Sequence, residues 1–264
     1  MSLRDPLHCR GILSDMDGVW FIGDSAIPGA VSALARIRAC SLPIRFVTNT
    51  TTRLRSELAA RMQSMGLDIP ADEIIHSPQA TVLHLRARGA TSCHLMVHDN
   101  IRSMFDEFST ASKPDTVVVG EVEGGWNYDQ MNEAFRLITE GADLVAMHKG
   151  RYWQVADGLT LDIGAFVAGL EYATGKVATV VGKPSATMFE MALADMGVRP
   201  EDAVMVGDDV NSDIGGAQAA GVAGVLVKTG KYRDALVASS GVSPTLVVDS
   251  IESFAERLQA SAGH

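Results

Sequence analysis

Two carboxylates one residue apart, Asp15-Met16-Asp17, stand directly behind the apolar run Gly11-Ile12-Leu13 and ahead of Gly18-Val19. At the end of a buried strand such a pair can divide the work of catalysis: one carboxylate attacks an electrophile or holds a hard cation, and the other moves a proton. The local alternative is an Asx-turn, in which an Asp side chain accepts from the backbone two residues on. Three further apolar runs end in polar side chains. Ile44-Arg45-Phe46-Val47 ends in Thr48-Asn49-Thr50, hydrogen-bond donors at a strand tip or, alternatively, caps of the helix that begins near Arg53. Val177-Ala178-Thr179-Val180-Val181 ends in Gly182-Lys183-Pro184-Ser185, which sets one cation at a strand end and Pro near a helix start. Ala203-Val204-Met205-Val206 ends in Gly207-Asp208-Asp209-Val210-Asn211-Ser212-Asp213.

The four runs alternate with helical patterns, which is the signature of βαβ units around a parallel sheet. In such a sheet ligands bind outside the carboxyl ends of the strands, so tips far apart in sequence can converge. Carboxylates with small oxygen ligands suit Mg²⁺, which also takes substrate phosphate oxygens. Lys183 and the Thr48-Asn49 donors then answer the charge that a metal leaves exposed. The combination describes a phosphate-handling site. Competing motifs fail on their residues. Asp209 to Asp213 begins like a calcium loop, but the sixth position is Ile214 instead of Gly and the twelfth is Ala220 instead of Glu. No Gly-Lys pair is followed by Ser or Thr, and no G-x-S-x-G elbow is present.

These four motifs, in this order, resemble the haloacid dehalogenase (HAD) superfamily of phosphohydrolases: Asp15-Met16-Asp17-Gly18, Thr48-Asn49, Lys183, and Gly207-Asp208-Asp209 with Asp213. The likeness runs to the NagD-type branch. It is nearest the group of phospholysine phosphohistidine inorganic pyrophosphate phosphatase and HAD hydrolase domain-containing protein 2, through His148-Lys149-Gly150-Arg151-Tyr152, Leu170-Glu171-Tyr172-Ala173-Thr174, Val181-Gly182-Lys183-Pro184, Gly215-Gly216-Ala217-Gln218 and Lys228-Thr229-Gly230-Lys231-Tyr232. One position departs, Asp17, where the mammalian phosphohistidine enzyme has Ser. The resemblance implies a Rossmann-like doubly wound α/β core with an inserted α/β cap, and phosphatase chemistry through an aspartyl-phosphate. By that likeness Asp15 is the nucleophile and Asp17 the acid and base. Asp15, Asp208 and the backbone carbonyl of Asp17 hold Mg²⁺, with Asp209 and Asp213 behind them. Thr48, Asn49 and Lys183 bind phosphoryl oxygens. It also implies homodimers paired through their caps.

Between Asn49 and Lys183 lie about 130 residues, enough for a domain of their own. The expected boundaries are residues 1–78 and 180–264 for a discontinuous core, and 79–179 for the cap. Helices are expected at Gly29 to Ala39, Arg53 to Met65, Tyr128 to Glu140, Ser185 to Met196 and Ser250 to Gln259. Within the cap, His148, Lys149 and Arg151 beside Gly150 form either a substrate-selecting loop or an ordinary polar βα loop. His98-Asp99-Asn100 and Gly124-Gly125-Trp126-Asn127 are weaker candidates for the same role and read first as turns. With 264 residues, 47% hydrophobic and 20% charged, the chain is that of a globular protein. A net charge of −10 has the wrong sign for nucleic acid, so the expected partner is a small phosphorylated compound. The three cysteines, Cys9, Cys40 and Cys93, lack metal-ligand spacing and suit reduced thiols. No apolar run of 18 residues exists and Met1 to Pro6 lacks a signal-peptide core, so a cytoplasmic location with no membrane is expected.

Overall fold

The computed structural model describes residues 5–155 and 158–262. In chain order its strands are β1 (Gly11–Ser14), a short hairpin of β2 (Phe21–Ile22) and β3 (Ser25–Ala26), β4 (Ile44–Thr48), β5 (Ile74–His76), β6 (Cys93–Met96), β7 (Thr116–Val119), β8 (Asp143–Ala146), β9 (Tyr152–Val155), β10 (Gly158–Leu161), β11 (Thr179–Val180), β12 (Ala203–Gly207), β13 (Ala223–Val227) and β14 (Leu246–Val248). Contacts divide them into two compact units.

The first unit comprises residues 1–48, 55–75 and 183–264. Its sheet has the order β14-β13-β12-β1-β4-β5 and runs parallel from β14 to β4. Every residue of β1, β12 and β13 is buried, as strands covered on both faces must be. The covering helices show why. Ala30–Ala39 buries Ala30, Ala33, Leu34 and Ile37, one face at helical spacing, and packs on Ile251–Ala262. Trp20, on the segment leading into the β2–β3 hairpin, is fully buried with its ring edge-on to Phe46 at 5.5 Å. Register then places the chemistry. Ser14 lies opposite Val206 across β1 and β12, so Asp15 and Asp208 leave neighbouring strands at the same end.

The second unit comprises residues 49–54 and 76–182. It has a four-stranded parallel sheet, β11-β8-β7-β6, and a separate antiparallel pair, β9 and β10. Its own core gathers Val117, Val119, Ile138, Leu144, Val167 and Leu170 under the helices Tyr128–Thr139 and Gly164–Thr174.

Two sequence expectations need adjusting. The run from Val177 to Val181 does not join the sheet that carries Asp15; its strand, β11, pairs with β8. Lys183 is therefore delivered by the segment that leaves the second unit, just past a two-residue strand. The division also falls elsewhere than at 79 and 179: the second unit takes in Asn49–Leu54 as well as 76–182. The five expected helices are present as Ala30–Ala39, Arg55–Ser64, Tyr128–Thr139, Ala186–Met196 and Ile251–Ala262.

Candidate active site

In the first unit the ends of β1 and β12 meet at a buried ionic cluster. Asp15 continues the ladder by donating its backbone N–H to the Val206 carbonyl at 2.8 Å, which fixes where its side chain starts. Behind it, Trp20 Nε1 donates to Ser14 Oγ at 2.7 Å, and that hydroxyl donates to the Asp15 carbonyl at 2.9 Å. Asp15 Oδ1 accepts from the Met16 N–H at 2.7 Å and lies 2.7 Å from Lys183 Nζ. The same ammonium lies 2.8 Å from Asp213 Oδ1, and only 3% of the lysine side chain is exposed. Asp213 Oδ2 takes the Asp209 N–H at 3.1 Å, so one of its oxygens is hydrogen-bonded and the other is ion-paired to Lys183.

Asp208 differs. Its Oδ2 accepts from the Lys231 N–H at 2.7 Å, whereas Oδ1 is buried with no hydrogen-bond partner among the described residues. An orphaned carboxylate oxygen in an interior is costly unless something positive meets it. Ligand oxygens of Asp15, Asp208 and Asp213 all lie within 4.8 Å of one another. The donor set is oxygen only and anionic, which fits Mg²⁺. The sequence expectation put Asp213 behind the metal; its carboxylate stands in the same cluster as those of Asp15 and Asp208.

Three carboxylates within 4.8 Å of one another, with a buried ammonium against two of them, cannot all be charged without cost. Burial, then Asp15 and Asp213, pushes Asp208 well above the carboxylate range; burial and Asp15 push Asp213 up to about 7 against the pull of Lys183. Burial works against the Lys183 ammonium, but Asp15 and Asp213 outweigh it and hold it above the usual lysine range. Asp17 keeps contact with solvent, yet desolvation by the protein around it and the charge of Asp15 raise its pKa, only partly offset by Lys231 and Arg61.

The other expected residues have plainer surroundings. Thr48 is buried as the last residue of β4. Asp209 caps the turn after β12, with Oδ1 accepting from the N–H groups of Asn211 and Ser212 at 3.0 Å each. Asn49 belongs to the second unit, where its Oδ1 stands 2.6 Å from the place a Cβ on Gly182 would occupy, beside His148 Cβ at 3.1 Å. His148 is buried; its Nδ1 accepts from the Gly150 N–H at 3.1 Å and its Nε2 faces Asp162 at 3.8 Å. Lys149 pairs with Glu171 at 2.5 Å, and Arg151 is exposed. The two weaker stretches are caps, His98 to the Asn100 N–H at 3.3 Å and Asn127 in a capping box with Gln130. Both also line a cleft of about 300 Å³ in the second unit, whose wall stacks Trp126 on Phe166 at 4.9 Å.

One segment was not singled out as part of a site. The loop Thr229-Gly230-Lys231 closes over Asp208: Thr229 Oγ1 donates to the Gly18 carbonyl, and a Cβ on either Gly18 or Gly230 would stand 1.9 Å from Asp208 Oδ2. Both glycines have positive φ, +79° and +54°. The signal in the sequence was Thr-Gly-Lys after an apolar run, weak by itself because such tripeptides are common turns.

Comparison with known proteins agrees with this arrangement. Residues 12–110 match the family described as haloacid dehalogenase-like hydrolase, and residues 180–254 match the HAD-hydrolase-like family. The haloacid dehalogenase-like hydrolase domain-containing protein 2 of Bos taurus is 44% identical over 91% of this chain and 92% of its own. The chain belongs to the haloacid dehalogenase-like hydrolases. Within that family its likeness is to the NagD-type phosphatases. The phospholysine phosphohistidine inorganic pyrophosphate phosphatase of Bos taurus is 41% identical over 85% of this chain and 84% of its own. Among solved structures, NagD from E. coli K-12 superposes with a TM-score of 0.84 at 28% identity, covering 92% of this chain and 97% of the other. The p-nitrophenyl phosphatase from Archaeoglobus fulgidus gives 0.87 at 26% identity, covering 94% and 98%.

Proposed function

We propose that this HAD-family hydrolase is a Mg²⁺-dependent phosphatase that hydrolyses a small phosphorylated compound, a phosphomonoester, phosphoamide or pyrophosphate, through an aspartyl-phosphate on Asp15. The observation that carries the reading is the Lys183 ammonium lying between Asp15 and Asp213 while Asp208 keeps a buried oxygen with no hydrogen-bond partner among the described residues. Because Lys183 and the Met16 N–H both take Oδ1 of Asp15, attack on phosphorus falls to Oδ2. As that bond forms, the bond to the leaving group breaks, and Asp17 gives its proton to the departing atom. Asp17 then takes a proton from the water that attacks the phosphorus of the acyl phosphate, which frees phosphate and restores Asp15. A carboxyl with a raised pKa suits both halves of that cycle. Asp15, Asp208 and the carbonyl of Asp17 would hold Mg²⁺, with Asp213 and Asp209 supporting them. When bound, the metal offsets the charge on the phosphoryl oxygens. Lys183, Thr48 and Asn49 are read as the remaining partners of those oxygens.

The second unit is read as the cap that selects the substrate. Within its loop His148 is buried and Lys149 is paired with Glu171, which leaves Arg151 as the exposed cation and the best candidate there to meet a substrate. The test is phosphate release from a panel of small phosphorylated compounds, with and without Mg²⁺, by wild type and Asp15→Asn. Release should need both the metal and Asp15; release that survives in Asp15→Asn would end the covalent reading. Phosphate found on an acceptor other than water would make the protein a phosphotransferase instead.

A further inference from the structure

Beside the acid cluster, Lys231 is a cation to which the phosphatase reading gives no role. Lys183 is committed: it is almost wholly buried and touches two carboxylates. Arg61, in the same unit, is held by the Gly23 carbonyl at 2.6 Å and Asp24 at 3.2 Å, with its guanidinium 4.7 Å over the Phe21 ring. Lys231 is neither buried nor committed. Its backbone is pinned, since its N–H reaches Asp208 at 2.7 Å and Gly230 before it packs against Gly18 and the same carboxylate. Its side chain is 48% exposed, and its ammonium has one ion-pair partner among the described residues, Asp209, at 3.8 Å, too long for a hydrogen bond. Asp209 is itself engaged at Oδ1 by two backbone N–H groups. A lysine anchored at its main chain to a candidate metal ligand, with the donors of its side chain unoccupied, stands at the rim of the acid cluster as a point charge for an anion. In a chain of net charge −10 such a local cation matters, because the overall field repels anionic substrates.

Building on the phosphatase reading, we propose that Lys231 is a specificity-determining residue that binds a second anionic group, a carboxylate or a further phosphate, on the part of the substrate beyond the transferred phosphoryl. Selection of this kind comes from the core itself and is independent of the loop at Arg151. The lysine also neutralises part of the acid cluster, so its test must separate recognition from support.

The experiment uses the full chain with Mg²⁺ and p-nitrophenyl phosphate as the reporter, and measures inhibition by 2-phosphoglycolate and by ethyl phosphate, which differ by one carboxylate. Wild type should bind 2-phosphoglycolate at least tenfold more tightly than ethyl phosphate. In Lys231→Met that ratio should fall to about twofold or less through the 2-phosphoglycolate constant, and Lys231→Arg should restore most of it. Equal weakening of both inhibitors in Lys231→Met, or a wild-type ratio near one, would overturn the proposal and leave Lys231 a supporting charge. A wild type that fails to hydrolyse p-nitrophenyl phosphate, or any other compound of the panel, would instead count against the phosphatase reading.

Discussion

At Asp208 one carboxylate oxygen is enclosed by main chain and the other has no hydrogen-bond partner among the described residues. Gly18 and Gly230 make that enclosure possible, because any side chain at either would collide with Oδ2 and would also sit at a φ that L-residues avoid. Gly230→Ala should therefore cost about 1–3 kcal/mol and also displace Asp208, so that Mg²⁺ no longer raises the melting temperature. Thermal melts with and without the metal would show this, and an unchanged Mg²⁺ response would refute it. Proton linkage gives a second expectation. Asp208 and Asp213 bind protons more tightly folded than unfolded, so the metal-free protein should lose stability as pH rises from about 4, where an unfolded Asp titrates, through about 7. Mg²⁺ should displace those protons and bind more tightly as pH rises over the same window; affinity that is flat from pH 5 to 7 would show that the cluster is already ionised. Asp17 offers a third. Replacing it with Asn should slow turnover of an alkyl phosphate, which needs a proton on its leaving oxygen, by roughly 10²–10⁴-fold, and of p-nitrophenyl phosphate by less, because nitrophenolate leaves unaided. Equal losses on both would remove the acid role.

The elements that bear the site were readable to different degrees. The ends of β1, β4 and β12 were legible because an apolar run that stops at a polar cluster reads as a strand end once strands and helices alternate. The path to Lys183 was not, because Val177 to Val181 carries no mark of which sheet it will join, and two residues of β11 pairing with β8 decide it. Asp209 also has a local use that its type alone does not single out: an Asp after a strand caps the following turn as readily as it supports a metal, and its Oδ1 takes two N–H groups of that turn. Nor does sequence reveal that Lys149 is held by Glu171, whose second oxygen also accepts from the Ala178 N–H at 3.0 Å and so ties the loop to the start of β11. The helix Tyr128–Thr139 is the clearest case in the second unit, with Asn127 and Gln130 capping each other's backbone reciprocally. Asn127→Ala should lower stability by about 1 kcal/mol, read by denaturant titration, without altering phosphate release. A change in release would mean that the cap turn also serves the substrate.

Among the described residues each unit has a hydrophobic core of its own, one around Trp20, Phe46 and Phe254 and the other around Val117, Leu144 and Val167. A single unfolding transition is therefore not guaranteed. All three carboxylates of the cluster belong to the first unit, so added Mg²⁺ should slow amide exchange along β12 and in the turn Val210–Gly215 while leaving β7 and β8 unchanged. Equal protection of both units would show that they open together. The order of strands bears on how the chain is made. β1 emerges early and its partner β12 comes about 190 residues later, with the whole second unit between. At typical rates of synthesis that is a wait of roughly 10–40 s. Throughout it the strand that leads to Asp15 is an open edge of a partly built sheet, buried on both faces in the finished fold and without Lys183 beside that carboxylate, the kind of surface on which nascent chains stick to one another. Biosynthesis, more than the finished fold, is then where this architecture is vulnerable, and the rapid closure of β12 onto β1 is the step that ends the exposure.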